Sequence, residues 1–452
     1  METNICVFET LPPTKLFIKC AVPAMLSMIF SGLYSIVDGI FVGRCIGSDA
    51  LAAVNLVMPL ISIAFALAEL IAVGSSVQLA MLLGEKKQEQ ANRTFSVCIK
   101  VITGISVFVG VIFFFFCEPM LTLMGAKGNA LQYSVEYIRM YAAFAPLIIV
   151  YFAVDNYLRI CGKPKYSMIL NVATAVLNII LDFLLIVIWK QGIWAAAFAS
   201  CISMSVGTVM ALIPFIQNKL ELKFVKGWIP IKQFAQIIAN GSSEFFANIS
   251  GSIFSFILNI VLLSVGGSTA VAAMSIVMYI ESLVAALLFG MVDSMQPAIS
   301  YCEGASLKKR VYALEKRVLI SAAVLSAITC IILRCCGKWI VPFFVKPDDT
   351  ELLNLSIQAM SLYALSYLAN WIDGCLSGFL TVLGQAGRSF IASITGTLLF
   401  PIIGLVILVP SMGLNGVYLM PLFSSIMSAI LSIVLVVTIK SDSRDFGREL
   451  QV

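Results

Sequence analysis

Eight carboxylates stand inside long apolar stretches of this 452-residue chain: Asp38, Glu69, Asp155, Asp182, Glu244, Glu281, Asp293 and Asp373. A carboxylate costs on the order of 3 kcal/mol at the centre of a membrane helix by insertion scales, so such groups belong in a bundle interior or a water-filled path. The chain has no histidine. Imidazole proton shuttles, His-based zinc sites and Ser-His or Cys-His nucleophile pairs are thereby removed, and proton chemistry falls to the carboxylates. Acids without basic residues at the same depth mark a path for cations. Asp155 and Asp293 lie close to span ends and read as solvated.

Helical spacing says where these groups point. Ser27, Ser31, Tyr34, Ser35 and Asp38 recur at three- and four-residue steps, and so do Asn171, Thr174, Asn178 and Asp182; each set forms one polar face of a helix. Asp38 lies six residues before Arg44 and Asp182 eight before Lys190, which puts both carboxylates at a similar depth, roughly 9 and 12 Å below those markers at 1.5 Å per residue. A joint cation site is the reading. Further stripes (Asn55, Ser62, Glu69, Ser76; Glu244, Asn248, Ser255, Asn259; Tyr363, Ser366, Asn370, Asp373, Ser377), Tyr34 of the first stripe and the lone Glu281 are candidates to line a substrate cleft, although Ser and Asn also bond helices together.

The elements that must hold these residues are membrane helices. Hydrophobic residues make up 60% of the chain and charged residues 12%, against about 25% charged in soluble domains. Apolar stretches long enough to cross a hydrocarbon core of about 30 Å recur throughout, without the alternation of a β-barrel. The expectation is an all-α integral membrane protein of twelve spans: 16–43, 50–83, 94–117, 132–160, 166–189, 193–217, 234–265, 269–301, 311–336, 354–383, 387–410 and 414–439. On that map 22 of the 29 Lys and Arg fall on the side of the N-terminus, so both termini are expected to be cytoplasmic. The acidic, non-basic start of the chain does not read as a cleaved signal peptide. The cysteines lack a C-x-x-C pair and lie mostly in apolar spans, so no disulfide or metal cluster is expected.

The halves repeat. A shift of 220 matches eleven of the 38 residues from Gly47 to Gly84 with Gly267 to Gly304, and a shift of 222 pairs Ser134, Tyr141, Ala142, Gly162, Ser167 and Ile169 with their copies. Six spans per unit is even, so the repeats are parallel, with a cleft expected between them. The predicted layout is an N-terminal lobe at 14–217, a cytoplasmic linker at 218–232, a C-terminal lobe at 233–440 and a cytoplasmic tail at 441–452.

Tyr34-Ser-Ile-Val-Asp38-Gly-Ile-Phe-Val-Gly43 with Gly47-Ser-Asp-Ala-Leu-Ala-Ala53, Asn178-Ile-Ile-Leu-Asp182, and Gln296-Pro-Ala-Ile-Ser-Tyr301 resemble the first-span, fifth-span and eighth-span motifs of the multidrug and toxic compound extrusion (MATE) transporters. The resemblance covers the whole chain. It implies a V-shaped pair of six-helix lobes and antiport of organic cations against protons or sodium, with coupling residues at Asp38, Asn178 and Asp182 and a helix-bending proline at Pro23. The chain departs from many members at Gly241-Ser-Ser-Glu244, where they carry Gly-Leu-Pro. The offsets send Asp38 to Leu258 and Asp182 to Gly404, so the acidic pair is expected once.

The function expected is export of organic, mostly cationic, drugs across the cytoplasmic membrane in exchange for protons or sodium ions, with Na+ held, if sodium is used, by Asp38, Asn178 and Asp182. No cofactor, nucleic acid or obligate protein partner is expected. A P-loop is absent, so an ion gradient must supply the energy. The alternative is a flippase for lipid-linked oligosaccharide or another amphipathic lipid, but phosphate recognition calls for Arg or Lys in the cleft. A membrane-embedded enzyme lacks its catalytic residues, and a channel does not explain the paired lobes.

Overall fold

A computed structural model describes residues 7–345 and 349–449, the side chains at 48, 51, 52 and 440–449 excepted. The outermost parts of the predicted cytoplasmic termini, 1–6 and 450–452, and Lys346 lie outside the described residues. The regular structure of the described residues is helical, with no strand among them.

Ten helices are long and apolar enough to cross a membrane, and a further pair, Thr350–Leu368 and Asn370–Val382, passes that test together across a 44° bend. One of the ten, Ile231–Gly304, has 74 residues, about 110 Å at 1.5 Å per residue and far beyond one crossing. It is interrupted at Gly267, whose φ of 66° and ψ of −163° are not helical. Counted as two spans, with the bent pair as one, it completes the twelve. The predicted loop between the seventh and eighth spans is thus reduced to a break at one glycine. Gly47, its copy at the shift of 220, also has positive φ (130°) and ends the turn before the second span, so both repeats use a residue without Cβ at the same corner.

Two compact units emerge: 1–245 with 297–308, and 246–296 with 309–452. In the first, the third and fourth spans (Gln88–Leu123 and Gly128–Ile160) and the second, fourth and sixth spans pack lengthwise, as do the first and fifth. Glycines allow two backbone approaches there. A Cβ on Gly74 would stand 1.9 Å from the Ile237 carbonyl, and one on Gly84 2.1 Å from that of Tyr301, so only glycine fits. In the second unit Leu258, Met274, Tyr367, Leu405 and Tyr418 share one apolar core. The many exposed Ile, Leu, Val and Phe side chains of the spans suit hydrocarbon rather than water.

Candidate functional site

The first span, Pro13–Ile46, lies along the fifth, Pro164–Ile188. Their polar stripes meet. Asp182 is fully buried and Asp38 is 9% exposed, and the two carboxyls face one another. The Asn178 amide, oriented so that both of its ends are satisfied, donates to Asp182 Oδ2 at 3.2 Å and accepts from Ser200 Oγ, on the sixth span, at 3.1 Å. Oδ1 of Asp38 and Oδ1 of Asp182 are buried without a hydrogen-bond partner. No salt bridge among the described residues reaches either acid.

Both acids stand at a change of helix type. The α-helix of the fifth span ends on Asp182 and continues as a π-helix over Phe183–Ile188; that of the first ends at Phe41, three residues beyond Asp38, and continues as a π-helix over Val42–Ile46. Wider π turns recur at functional positions because they displace the normal hydrogen-bond ladder. Fifteen residues before Asp38, Pro23 lies inside the first helix, and Ser27 Oγ donates to its carbonyl at 3.0 Å.

Three tyrosines surround the pair. Tyr34, one turn before Asp38, interacts electrostatically with both acids, and Tyr137 and Tyr141 of the fourth span do so with Asp38. The last two stack with ring centroids 5.2 Å apart. Ser200 escapes sequence reasoning because its span carries no acid to single out a face, and Tyr137 because it lies about five turns from Asp155, the buried acid of its own span, with no polar stripe joining them. Tyr141 had a signal, its copy at Tyr363.

From Asn178 a cavity of ≈ 230 Å³ runs between the first, fourth, fifth and sixth spans, lined near the acids by Tyr34, Thr174 and Ser200 and at its far end by Asp155 and Arg159. Asp155 is buried rather than solvated; Arg159, four residues on, pairs with it, and Ser167 Oγ and Asn171 Nδ2 donate to it. Tyr151 in turn donates to Asn171 Oδ1 at 2.8 Å. Every acceptor of Asp155 has work, unlike those of Asp38 and Asp182.

The shift of 222 carries this network into the second half, where Tyr151, Asp155, Arg159, Ser167 and Asn171 become Asp373, Ser377, Thr381, Ser389 and Ser393. Ser377 and Ser393 hydroxyls lie 3.4 Å apart and those of Thr381 and Ser389 2.6 Å apart. The ion pair is replaced by neutral hydroxyls. Asp373 accepts from Ser432 Oγ at 2.6 Å, and a Cβ at Gly396 would stand 2.7 Å from its other oxygen. The Asp38 and Asp182 positions hold Leu258, inside the apolar core, and Gly404, packed on Met420 and Phe423.

The remaining candidates are separate. Glu281 interacts with Tyr363 and Tyr367 in the second unit. Glu69 is half-buried on the second span, Glu244 and Asn248 are exposed one turn apart on the long helix, and none of the three lines the cavity. Glu315, in the ninth span, is a further buried acid with Oε1 unpartnered, and Lys316 and Arg317 beside it in sequence hide it among charged neighbours.

Known proteins decide the family. The MatE family model matches residues 23–184 and 245–407. This chain belongs to the MATE family of membrane transporters. It is 26% identical over 443 residues to the multidrug export protein MepA of Staphylococcus haemolyticus, covering 97% of each chain. It superposes with a TM-score of 0.91 on a crystal structure of MATE in complex with MaL6, at 22% identity over 97% of this chain and 98% of that one. An outward-facing multidrug resistance MATE family transporter of the MOP superfamily matches with a TM-score of 0.89, at 22% identity over 98% of this chain and 99% of that one. The likeness extends along nearly the whole chain and supports the twelve-helix plan.

Proposed function

We propose that this MATE transporter is a secondary antiporter that exports organic, mostly cationic, compounds from the cytoplasm in exchange for protons or sodium ions. The observation that carries the reading is the pair Asp38 and Asp182, buried together, each with an oxygen left unpartnered. Two unit charges at about 4 Å repel by about 4 kcal/mol at an effective dielectric of 20, and burial adds desolvation on top. The pair is therefore stable when it holds one positive charge, a shared proton or a small cation, and is driven to release it when another cation or water reaches it. Asn178 orients Asp182, and Tyr34 lies where the cavity meets the pair. Sodium, in the alternative, would be held by the two carboxylates with the Asn178 amide.

A site that alternates between loaded and empty couples ion entry to export if only one form can reorganise. Pro23 is the proposed bending point of the first span, since its missing N–H leaves the helix one backbone bond short. Tyr34, Glu69, Glu244, Asn248, Glu281 and Asp373 are proposed to meet substrate, the negative charge of the four carboxylates matching organic cations. MepA, which this chain resembles end to end, is a multidrug exporter by name, and that agrees with a broad substrate range. The protein is proposed to lie in the cytoplasmic membrane with both termini inside, its halves at 14–217 and 233–440 joined by the linker.

The experiment is export of a fluorescent organic cation from vesicles holding the purified protein, with pH and sodium gradients imposed one at a time. Export under the pH gradient alone assigns the proton, which the charge count favours: one proton entering for one monovalent cation leaving cancels a cost of about 2.3 kcal/mol per 100 mV. Export under the sodium gradient alone assigns sodium. No export under either removes the antiport reading.

A further inference from the structure

The segment between the sixth and seventh spans, from Gln217 after Ile216 to Pro230 before Ile231, is not helical, yet it is firmly held. Leu220 and Leu222 are buried, and Phe224 packs on Phe95 with ring centroids 4.9 Å apart. Backbone polar groups use the third span: Lys223 N donates to Asn92 Oδ1 at 3.0 Å, and Val225 N to Ser96 Oγ at 2.8 Å. At the end of the segment Gln233 donates to Thr94 Oγ1 at 2.8 Å. Gly227, with a φ of 148°, turns the chain over the Arg93 side chain.

What this rigid strap presents outward is unusual for a surface in water. Trp228 and Ile231 are each 88% exposed. Lys219, Lys223, Lys226 and Lys232 are exposed around them, and none takes part in a salt bridge among the described residues. Glu221 is the one acid between Asn218 and Lys232, and it is half-buried. Beside Trp228 the surface dips into a recess of ≈ 270 Å³ bordered by Arg93, Gln90 and Glu89, the last already paired with Arg93.

Position selects the occupant. The strap lies where two spans leave the membrane, against the first turns of a third-span helix of 36 residues. Such a helix is about 54 Å long at 1.5 Å per residue, longer than the hydrocarbon core, so its first turns reach the headgroup layer. Tryptophan favours that layer because its ring is apolar and its N–H is polar. Free lysines beside it attract acidic lipids. A strap fixed at this depth, with exposed Trp and Ile amid unpaired lysines, is complementary to an anionic bilayer surface.

We propose that the strap from Lys219 to Lys232 is a docking surface for anionic phospholipid headgroups, with Trp228 and Ile231 inserted at headgroup depth and the four lysines selecting acidic over zwitterionic lipid. It fixes the joint between the two repeats to the membrane surface. The inference does not depend on the transport reading, because lipid binding is measured without substrate or ion gradient.

The test places the full-length protein in bilayers of phosphatidylcholine with a fixed fraction of spin-labelled phosphatidylglycerol or spin-labelled phosphatidylcholine, and compares the share of each lipid immobilised on the protein. The wild type is expected to prefer the acidic lipid by about fivefold, the surface attraction of one lysine. The variant K219Q/K223Q/K226Q/K232Q is expected to lose most of that preference, as is the wild type in high salt. A variant retaining Trp228 with the other four tryptophans changed to Phe reports depth: its emission is quenched more by brominated phosphatidylglycerol than by brominated phosphatidylcholine. Equal immobilisation of the two lipids by the wild type overturns the proposal, and so does an unchanged preference in the quadruple variant. If the single-tryptophan protein does not fold, the spin-label comparison on the wild type and quadruple variant still decides.

Discussion

Asp38 and Asp155 show how one residue type takes two roles within one unit. Asp155 has a guanidinium, a hydroxyl and an amide directed at it, whereas Asp38 and Asp182 have each other and an amide, with two oxygens unused. Asp38→Asn keeps the volume but removes the exchangeable charge, so transport is expected to fall to background while the protein still inserts. Near-normal efflux from correctly inserted protein would remove Asp38 from the coupling site. Arg159→Gln strands a carboxylate in a buried pair whose side chains are 11% and 10% exposed, and loss of one partner of a buried pair typically costs about 3–5 kcal/mol. A pronounced drop in melting temperature in detergent is expected, and an unchanged one would make the pair dispensable. That Asp38 and Asp182 share one buried place was legible because polar residues at helical spacing preceded both. The Asp155 pair also has a signal in the sequence, an acid four residues before an arginine, but its nearness to the span end points the other way. Ser200 is one of three serines within six residues of the sixth span, Ser200, Ser203 and Ser205, and only the fold says which faces Asn178.

At the scale of elements, apolar length located the spans, and the repeat placed matching glycines at matching corners. Breaks inside spans were not legible. The π turns after Asp182 and beyond Asp38, and the 44° bend at Ala369, arise from packing that composition does not encode. Close helix contacts provide a sharp test of the packing. Alanine at Gly84 or Gly304 would drive a Cβ to 2.1 or 2.2 Å from a backbone carbonyl of the facing helix, whereas Gly39 and Gly104 have nothing within 4 Å. Overpacking costs about 1–3 kcal/mol, so Gly84→Ala and Gly304→Ala should lower thermal stability clearly. Gly39→Ala and Gly104→Ala should leave it equal or slightly raised, since alanine favours helix by about 1 kcal/mol. Equal behaviour of the two pairs would show that the facing helices are not in contact as described.

Over the whole molecule the two repeats share a plan but not a charge pattern. The first half carries the acid pair and the Asp155 ion pair; the second replaces the former by Leu258 and Gly404 and the latter by hydroxyls, keeping Asp373 and Glu281. That asymmetry motivates a division of labour in which the first half couples the ion and the second contributes most of the carboxylates proposed to meet substrate, Glu69 being the one from the first half. Glu244→Gln should therefore alter the range of exported cations while partial activity remains, measured as relative efflux rates for a panel of dyes. An unchanged profile would return Glu244 to a structural role. Exchange itself is tested most directly by reverse driving. Wild-type protein in sodium-free vesicles, with the membrane potential clamped to zero, is loaded with a monovalent organic cation and given no pH gradient. As the cation leaves down its own gradient, protons are expected to enter and internal pH to fall, with no such fall for Asp38→Asn. Substrate leaving the wild-type vesicles while internal pH stays flat would contradict proton exchange.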